Sequence, residues 1–188
     1  MSLTETRDRS TRVAVLTISD AGARGERADT SGDAAAEWAV WQGAVVVARA
    51  IVPDDTVEIV RCLLTWCDDD VADLVLTTGG TGLSERDVTP EATRAVIERE
   101  VAGIAERLRV VTGADFPRAA LSRGICGTRG RTLIVNLPGS TTGVRDTLAA
   151  FVPIAKHAVD IMRGEASDHS PRDAVTVHRS PFTDHGSP

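Results

Sequence analysis

Asp73-Leu74-Val75-Leu76-Thr77-Thr78-Gly79-Gly80-Thr81-Gly82 passes without interruption from an apolar, β-forming run into a glycine-rich turn. Consecutive apolar positions leave no solvent face, so the first six residues read as a strand buried on both sides. The glycines behind it let backbone N–H groups approach an anion closely, and the threonine hydroxyls add donors. The stretch is neither of the two common phosphate loops. A P-loop needs a lysine that this turn lacks, and the dinucleotide fingerprint needs a third glycine at position 85, where Glu85 stands.

Working outward on the amino-terminal side, residues 12–18 form a first apolar, β-branched run, followed by a polar loop from Ser19-Asp20 to Asp29. Thr30 or Ser31 is the expected cap of a helix that ends at Gly43. Residues 44–52 read as a second strand, closed by Pro53. Asp55 with Glu58 three positions on has the form of a capping box, with Asp in place of Ser or Thr. The helix behind it carries Val57, Val60, Leu64 and Cys67 as a one-sided apolar stripe.

On the carboxyl-terminal side, Thr89-Pro90-Glu91 supplies a capping hydroxyl, a proline at the first helical position and an acid near the positive helix end. Helical pattern then runs to Gly113, with a break expected near Gly103. Gly124, Gly127 and Gly130 suggest an irregular turn or small hairpin. Residues 132–137 are another buried strand, ending in Pro138-Gly139-Ser140, and residues 142–163 a last helix that Pro153 should kink or restart. Such alternation of strand and helix specifies an α/β fold, a three-layer sandwich with a mostly parallel sheet covered by helices on both faces. Ligands of such sheets bind beyond the carboxyl ends of the strands, here the loops after Ile18, Val52, Thr78 and Leu137.

The 188 residues allow one domain of ordinary size, assigned to residues 11–164, between a flexible start at 1–10 and a flexible tail at 165–188. That tail holds His169, His178 and His185 without apolar periodicity. With 42% hydrophobic residues the chain has a genuine core and needs no metal or disulfide staple. A net charge of −6 and only three Trp, three Phe and no Tyr argue against a nucleic-acid binder, which needs cationic stripes or stacking platforms. No run has the length of a membrane span and no signal-peptide core is present, so the protein reads as cytoplasmic, with no membrane partner. Cys62, Cys67 and Cys126 are too scattered for a zinc site; on a helix the first two lie about 140° apart. They read as buried fillers.

Two carboxylates stand out. Asp87 precedes a helix start, where it would serve the dipole if it served nothing else. Asp55 fits the capping position, which leaves Asp54 without a local duty at a ligand-facing strand end, where a carboxylate can hold Mg²⁺ or bond a substrate. Physical reading alone reaches a phosphate- or nucleotide-binding α/β domain.

Thr77-Thr78-Gly79-Gly80-Thr81-Gly82 with Arg86-Asp87-Val88-Thr89-Pro90-Glu91-Ala92-Thr93 resembles the signature of the MoaB/Mog molybdopterin-binding family. Asp29-Thr30-Ser31-Gly32, Val52-Pro53-Asp54, Leu121-Ser122-Arg123 and Asn136-Leu137-Pro138-Gly139-Ser140 match in order and spacing, so that the likeness spans residues 10–164. The resemblance implies a molybdopterin adenylyltransferase with ATP and molybdopterin as substrates and Mg²⁺ as cofactor. It implies Asp54 and Asp87 as the essential carboxylates, holding Mg²⁺ or orienting the pterin. Substrate would be bound by Ser19, Asp20, Gly79, Gly80, Thr81, Gly82, Ser122, Asn136, Pro138, Gly139 and Ser140. It further implies a homotrimer or hexamer and transient contact with a molybdenum-insertion protein. Where relatives often carry Phe-Arg and then Ser, this chain has Leu108-Arg109 and Thr112. Two other readings fit the same family: a non-catalytic molybdopterin-binding paralogue, and a trimeric scaffold.

Overall fold

The computed structural model describes residues 10–165; the expected flexible start and tail lie outside the described residues apart from their innermost positions. Among the described residues six strands form one sheet in the order β2-β1-β3-β6-β5-β4. These are β1 (Arg12–Ile18), β2 (Val45–Val52), β3 (Leu74–Thr78), β4 (Arg99–Glu100), β5 (Cys126–Arg129) and β6 (Thr132–Leu137). The first four in that spatial order run parallel, whereas β5 lies antiparallel to β6, and β4 to β5.

Each central strand feeds two cores by simple alternation. Val13, Val15, Leu74, Leu76, Leu133 and Val135 point to one face. That face is covered by α2 (Thr30–Trp41), α5 (Ala102–Gly113) and α6 (Thr141–Arg163). Ala14, Leu16, Val75 and Ile134 point to the other, under α3 (Thr56–Asp68) and α4 (Thr89–Val96). The unbroken apolar runs of the sequence are therefore strands with helices on both sides. On the first face Trp38 and Phe151 pack with ring centroids 6.1 Å apart.

Several local expectations change. Asp29, not Thr30 or Ser31, caps α2, its carboxylate accepting from Gly32 N. The buried face of α3 is Ile59, Leu63 and Cys67, while Val57 is exposed. The way α3 lies on the sheet selects its buried side; the expected stripe shares Cys67 with that side, but Val57 at its start points away. Thr89 is the first residue of α4 and makes no cap; its hydroxyl donates to Gly79 O at 2.8 Å. Helix breaks at Ile97, before Gly103, because residues 98–101 pair with β5: Glu98 N donates to Thr128 O and Val101 N to Cys126 O. Of the two forms expected for the glycine-rich stretch, the small hairpin is the one that forms, between β5 and β6 and turned at Gly130 with φ +53°. Pro153 lies inside an unbroken α6, which does not restart there; Arg107 Nε donates to the Ala150 carbonyl in the preceding turn.

At the amino ends of the strands Asp73 gathers Arg12 and Arg163. Its carboxylate accepts from Arg12 N at 2.7 Å and from Arg12 and Arg163 guanidinium nitrogens at 2.8 and 2.5 Å. Burial alone would raise this carboxyl; the hydrogen bonds from Arg12 and Arg163 outweigh it and hold it far below the usual range.

Candidate active site

Because β1, β2, β3 and β6 are parallel, their carboxyl ends share one edge. From β1 the chain goes on to β2 on one side, whereas β3 leads away to β6 on the other, so the loops after β1 and β3 diverge and leave a crevice. The loops are tied together there. Ser19 N donates to Val52 O at 2.9 Å, and Thr78 Oγ1 to Pro138 O at 2.7 Å. Asp20 and Asp54 exchange bonds: Asp54 Oδ2 accepts from Asp20 N at 2.9 Å, and Asp20 Oδ1 from Asp54 N at 3.1 Å. Asp54 thus has a local partner that its position in the sequence does not reveal.

The glycines have geometric reasons. Gly79 has φ +101°, and a Cβ there would sit 2.2 Å from the Ile18 carbonyl oxygen. Gly80 has φ +61°, with Thr89 Oγ1 2.4 Å from where its Cβ would be. The turn can lie against β1 and α4 only without side chains.

Two cavities meet at this turn. The larger, about 320 Å³, lies between the turn, α5, the 3₁₀ turn Pro117–Leu121 and the start of α6. Gly80, Thr81, Gly82, Asp87, Ser122, Asn136, Pro138, Gly139 and Ser140 line it, so nine of the thirteen residues implied by the resemblance fall together. The smaller, about 170 Å³, is bounded by Ser19, Asp54, Gly79, Gly80 and Gly139. Gly80 and Gly139 belong to both. The two carboxylates therefore stand in adjoining chambers on either side of one glycine wall: Asp87 in the larger, Asp54 in the smaller. Asp20 lines neither; it holds Asp54 N and pairs with Arg86 at 2.6 Å. The Arg86 bond and the Asp54 amide depress the Asp20 carboxyl.

Each implied residue has a distinct local situation. Asp87 Oδ2 accepts from Ser84 N at 2.8 Å, closing the turn before α4. Asn136 is buried with its amide fully engaged: Nδ2 donates to Thr77 and Thr93 hydroxyls, and Oδ1 accepts from Ile125 N. It therefore shapes the wall with its side chain committed inward. Ser140 caps α6 and Ser19 caps the short α1 (Asp20–Ala23).

Sequence reasoning missed Arg123 as more than a motif letter. Its backbone N donates to Thr81 O at 2.8 Å and its Nε to Gly82 O at 2.6 Å. Its remaining guanidinium nitrogens bond Asp87 O and Glu91, the latter at 2.5 Å. One side chain spans both ends of the loop that carries Asp87. Also missed were Thr17, Arg27 and Asp29 around the smaller cavity, and Arg118 and Asp146 around the larger. Only Asp29 carried a signal, as part of a matching motif. Among the described residues no group of three His, Cys, Asp or Glu side chains is placed to hold a metal, and no helix is long and apolar enough to cross a membrane. Burial pushes the Cys62 and Cys67 thiols up to about 11 and Cys126 up to about 12, so none is a poised nucleophile.

Residues 14–157 match the family model described as a probable molybdopterin binding domain. A molybdopterin adenylyltransferase from Helicobacter pylori is 37% identical over 154 residues, covering 81% of this chain and 88% of that one. The crystal structure of the molybdopterin biosynthesis enzyme MoaB from Thermus thermophilus superposes with a TM-score of 0.78 at 49% identity, over 82% of this chain and 97% of that one. The chain also matches the Drosophila melanogaster molybdenum cofactor synthesis protein cinnamon, 38% identical over 155 residues (81% of this chain), of whose length it spans 26%. With the family model and these relatives matching nearly all of its α/β domain, this chain belongs to the MoaB/Mog family of molybdopterin-binding proteins of molybdenum cofactor biosynthesis.

Proposed function

We propose that this protein is a molybdopterin adenylyltransferase. In this reaction a terminal phosphate oxygen of molybdopterin attacks the α-phosphorus of ATP. The bond from that phosphorus to the bridging oxygen of the β-phosphate breaks, and pyrophosphate leaves with adenylated molybdopterin as product. The observation that carries the reading is the pair of adjoining cavities, Asp87 lining one and Asp54 the other, with a shared wall at Gly80 and Gly139. Two anionic substrates must be brought into line, and two chambers opening on one glycine wall give each a place with the reacting phosphates at the junction.

The chain's own groups supply positioning and part of the charge neutralisation. Backbone along the turn can approach phosphate oxygens, and Arg27 borders the smaller chamber. Mg²⁺ is part of the proposal. It favours one or two carboxylates plus substrate phosphates over an all-protein cage, and Asp54 and Asp87 suit an ion that arrives with the triphosphate. Bound there it would offset phosphate charge. Assembly into trimers or hexamers, a cytoplasmic site of action and transfer of product to a molybdenum-insertion protein belong to the same proposal.

The test is pyrophosphate release from ATP and Mg²⁺, with and without molybdopterin, for wild type, Asp54→Ala and Asp87→Ala. Molybdopterin-dependent release by wild type, lost in both variants, is expected. Wild-type protein that binds molybdopterin but releases no pyrophosphate would overturn the enzyme in favour of a binding paralogue.

A further inference from the structure

The larger cavity holds a carboxylate for which adenylyl transfer has no stated use. Asp146 sits in the second turn of α6, half-buried in the cavity wall. Among the described residues its carboxylate has no hydrogen bond or ion pair. The neighbouring acids differ: Asp87 holds Ser84 N, Asp54 holds Asp20 N, and Asp29 holds Gly32 N and the Thr17 hydroxyl. A carboxylate set in a cavity wall with no partner of its own keeps its acceptor oxygens available to a bound molecule. The surroundings narrow the choice. Ala105 and Leu108 from α5 with Phe116 and Leu121 beside them make an apolar wall, suited to the faces of a flat ring. A carboxylate is acceptor-only, so the ring edge that meets it must carry adjacent donors.

We infer that Asp146 is a specificity-determining residue that accepts hydrogen bonds from the amino group and adjoining ring N–H of a pterin lying against the α5 side of the larger cavity. The inference rests on the proposed molybdopterin substrate. A pterin's aminopyrimidinone edge offers two donors side by side, which match the two carboxylate oxygens. Adenine offers its amino group next to ring-nitrogen lone pairs, and one of these would face the second oxygen. The pterin ring then lies in the larger chamber and its phosphate tail points to the shared wall at Gly80 and Gly139.

The experiment titrates pterin, lumazine and adenosine onto wild type, Asp146→Asn and Asp146→Ser, following the fluorescence of the pteridines and the heat of adenosine binding. Lumazine keeps the ring system and replaces the amino group with an oxo group, which turns a lone pair toward the carboxylate. Wild type should prefer pterin over lumazine by at least about 10-fold, the low end for a charge-assisted hydrogen bond. Both variants should lose that preference while adenosine binding stays unchanged. Two variants guard against one that folds poorly, and thermal melting reports on each. Equal wild-type affinity for the two pteridines, a preference that survives in a folded variant, or a loss confined to adenosine would each overturn the assignment. Because these readouts need no turnover, selective pterin binding by a wild type that releases no pyrophosphate would leave Asp146 assigned and remove only the enzyme.

Discussion

Replacing Arg123 with Ala would test whether the loop that carries Asp87 is held from outside itself. In the native protein the guanidinium bonds Gly82 O, Asp87 O and the Glu91 carboxylate, while its own amide bonds Thr81 O. The alanine variant keeps the amide bond and loses the other three. A hydrogen bond to a charged group contributes about 1.5–3 kcal/mol, but this side chain is 35% exposed, so water can reoccupy the freed oxygens. Allowing for that, the loss of stability should be about 2 kcal/mol. Glu91 gives a second sign: burial alone would raise its carboxyl, Arg123 outweighs that and lowers it, and the variant should release it upward. The larger consequence is for Asp87, whose loop then rests on its internal Ser84 bonds and the Arg86–Asp20 pair. A displacement of about 1 Å at a reacting centre costs up to about 10²-fold in rate. Denaturant melts, amide hydrogen exchange over residues 82–88, and pyrophosphate release resolved into kcat and KM together make the assay. Exchange should speed up in the loop and kcat should fall with KM for ATP little changed. Arg123→Lys, able to reach one acceptor at a time, should fall between. An alanine variant with native loop protection and native kcat would refute the reasoning.

Asp73→Asn removes the charge between Arg12 and Arg163 and should cost roughly 3–5 kcal/mol in a urea melt; a loss under 1 kcal/mol (about fivefold) would show the cluster to be dispensable. The folded Asp73 carboxyl is depressed, so its contribution is complete above the unfolded value near 3.9 and is lost as pH falls toward the folded one. Wild type should therefore lose stability more steeply than Asp73→Asn between about pH 4 and pH 2, as seen by melting at stepped pH. Gly79→Ala, with its Cβ driven against the Ile18 carbonyl at φ +101°, should abolish activity or folding, and crystals showing an undisturbed turn would contradict that reading. All three thiols should resist alkylation by iodoacetamide at pH 7 in the folded protein and react on unfolding; rapid native labelling of Cys62, Cys67 or Cys126 would disprove their inertness.

The layers of this fold were legible in the chain because two physical constraints act locally. A strand covered on both faces must be apolar at successive positions, as residues 74–76 and 133–135 are, and a turn pressed against a neighbouring backbone must be glycine, as at 79 and 80. That the loops after Ile18, Val52, Thr78 and Leu137 share one edge of the sheet followed from parallelism alone. What local pattern could not supply is anything set by which elements become neighbours. Phase along α3 depended on how that helix sits on the sheet, and Thr89 was drawn from its capping position by a carbonyl ten residues away. Arg123 reaches an Asp87 carbonyl 36 positions back, and Asp20 meets Asp54 across 34. Asp146 reads as an ordinary exposed helix residue until α5 closes over it to form the cavity. Composition and spacing fix hydrophobic period and backbone freedom, which are properties of a few consecutive residues. Which carboxylate faces a ligand is decided by side chains meeting across the fold, and only the packed chain contains that information.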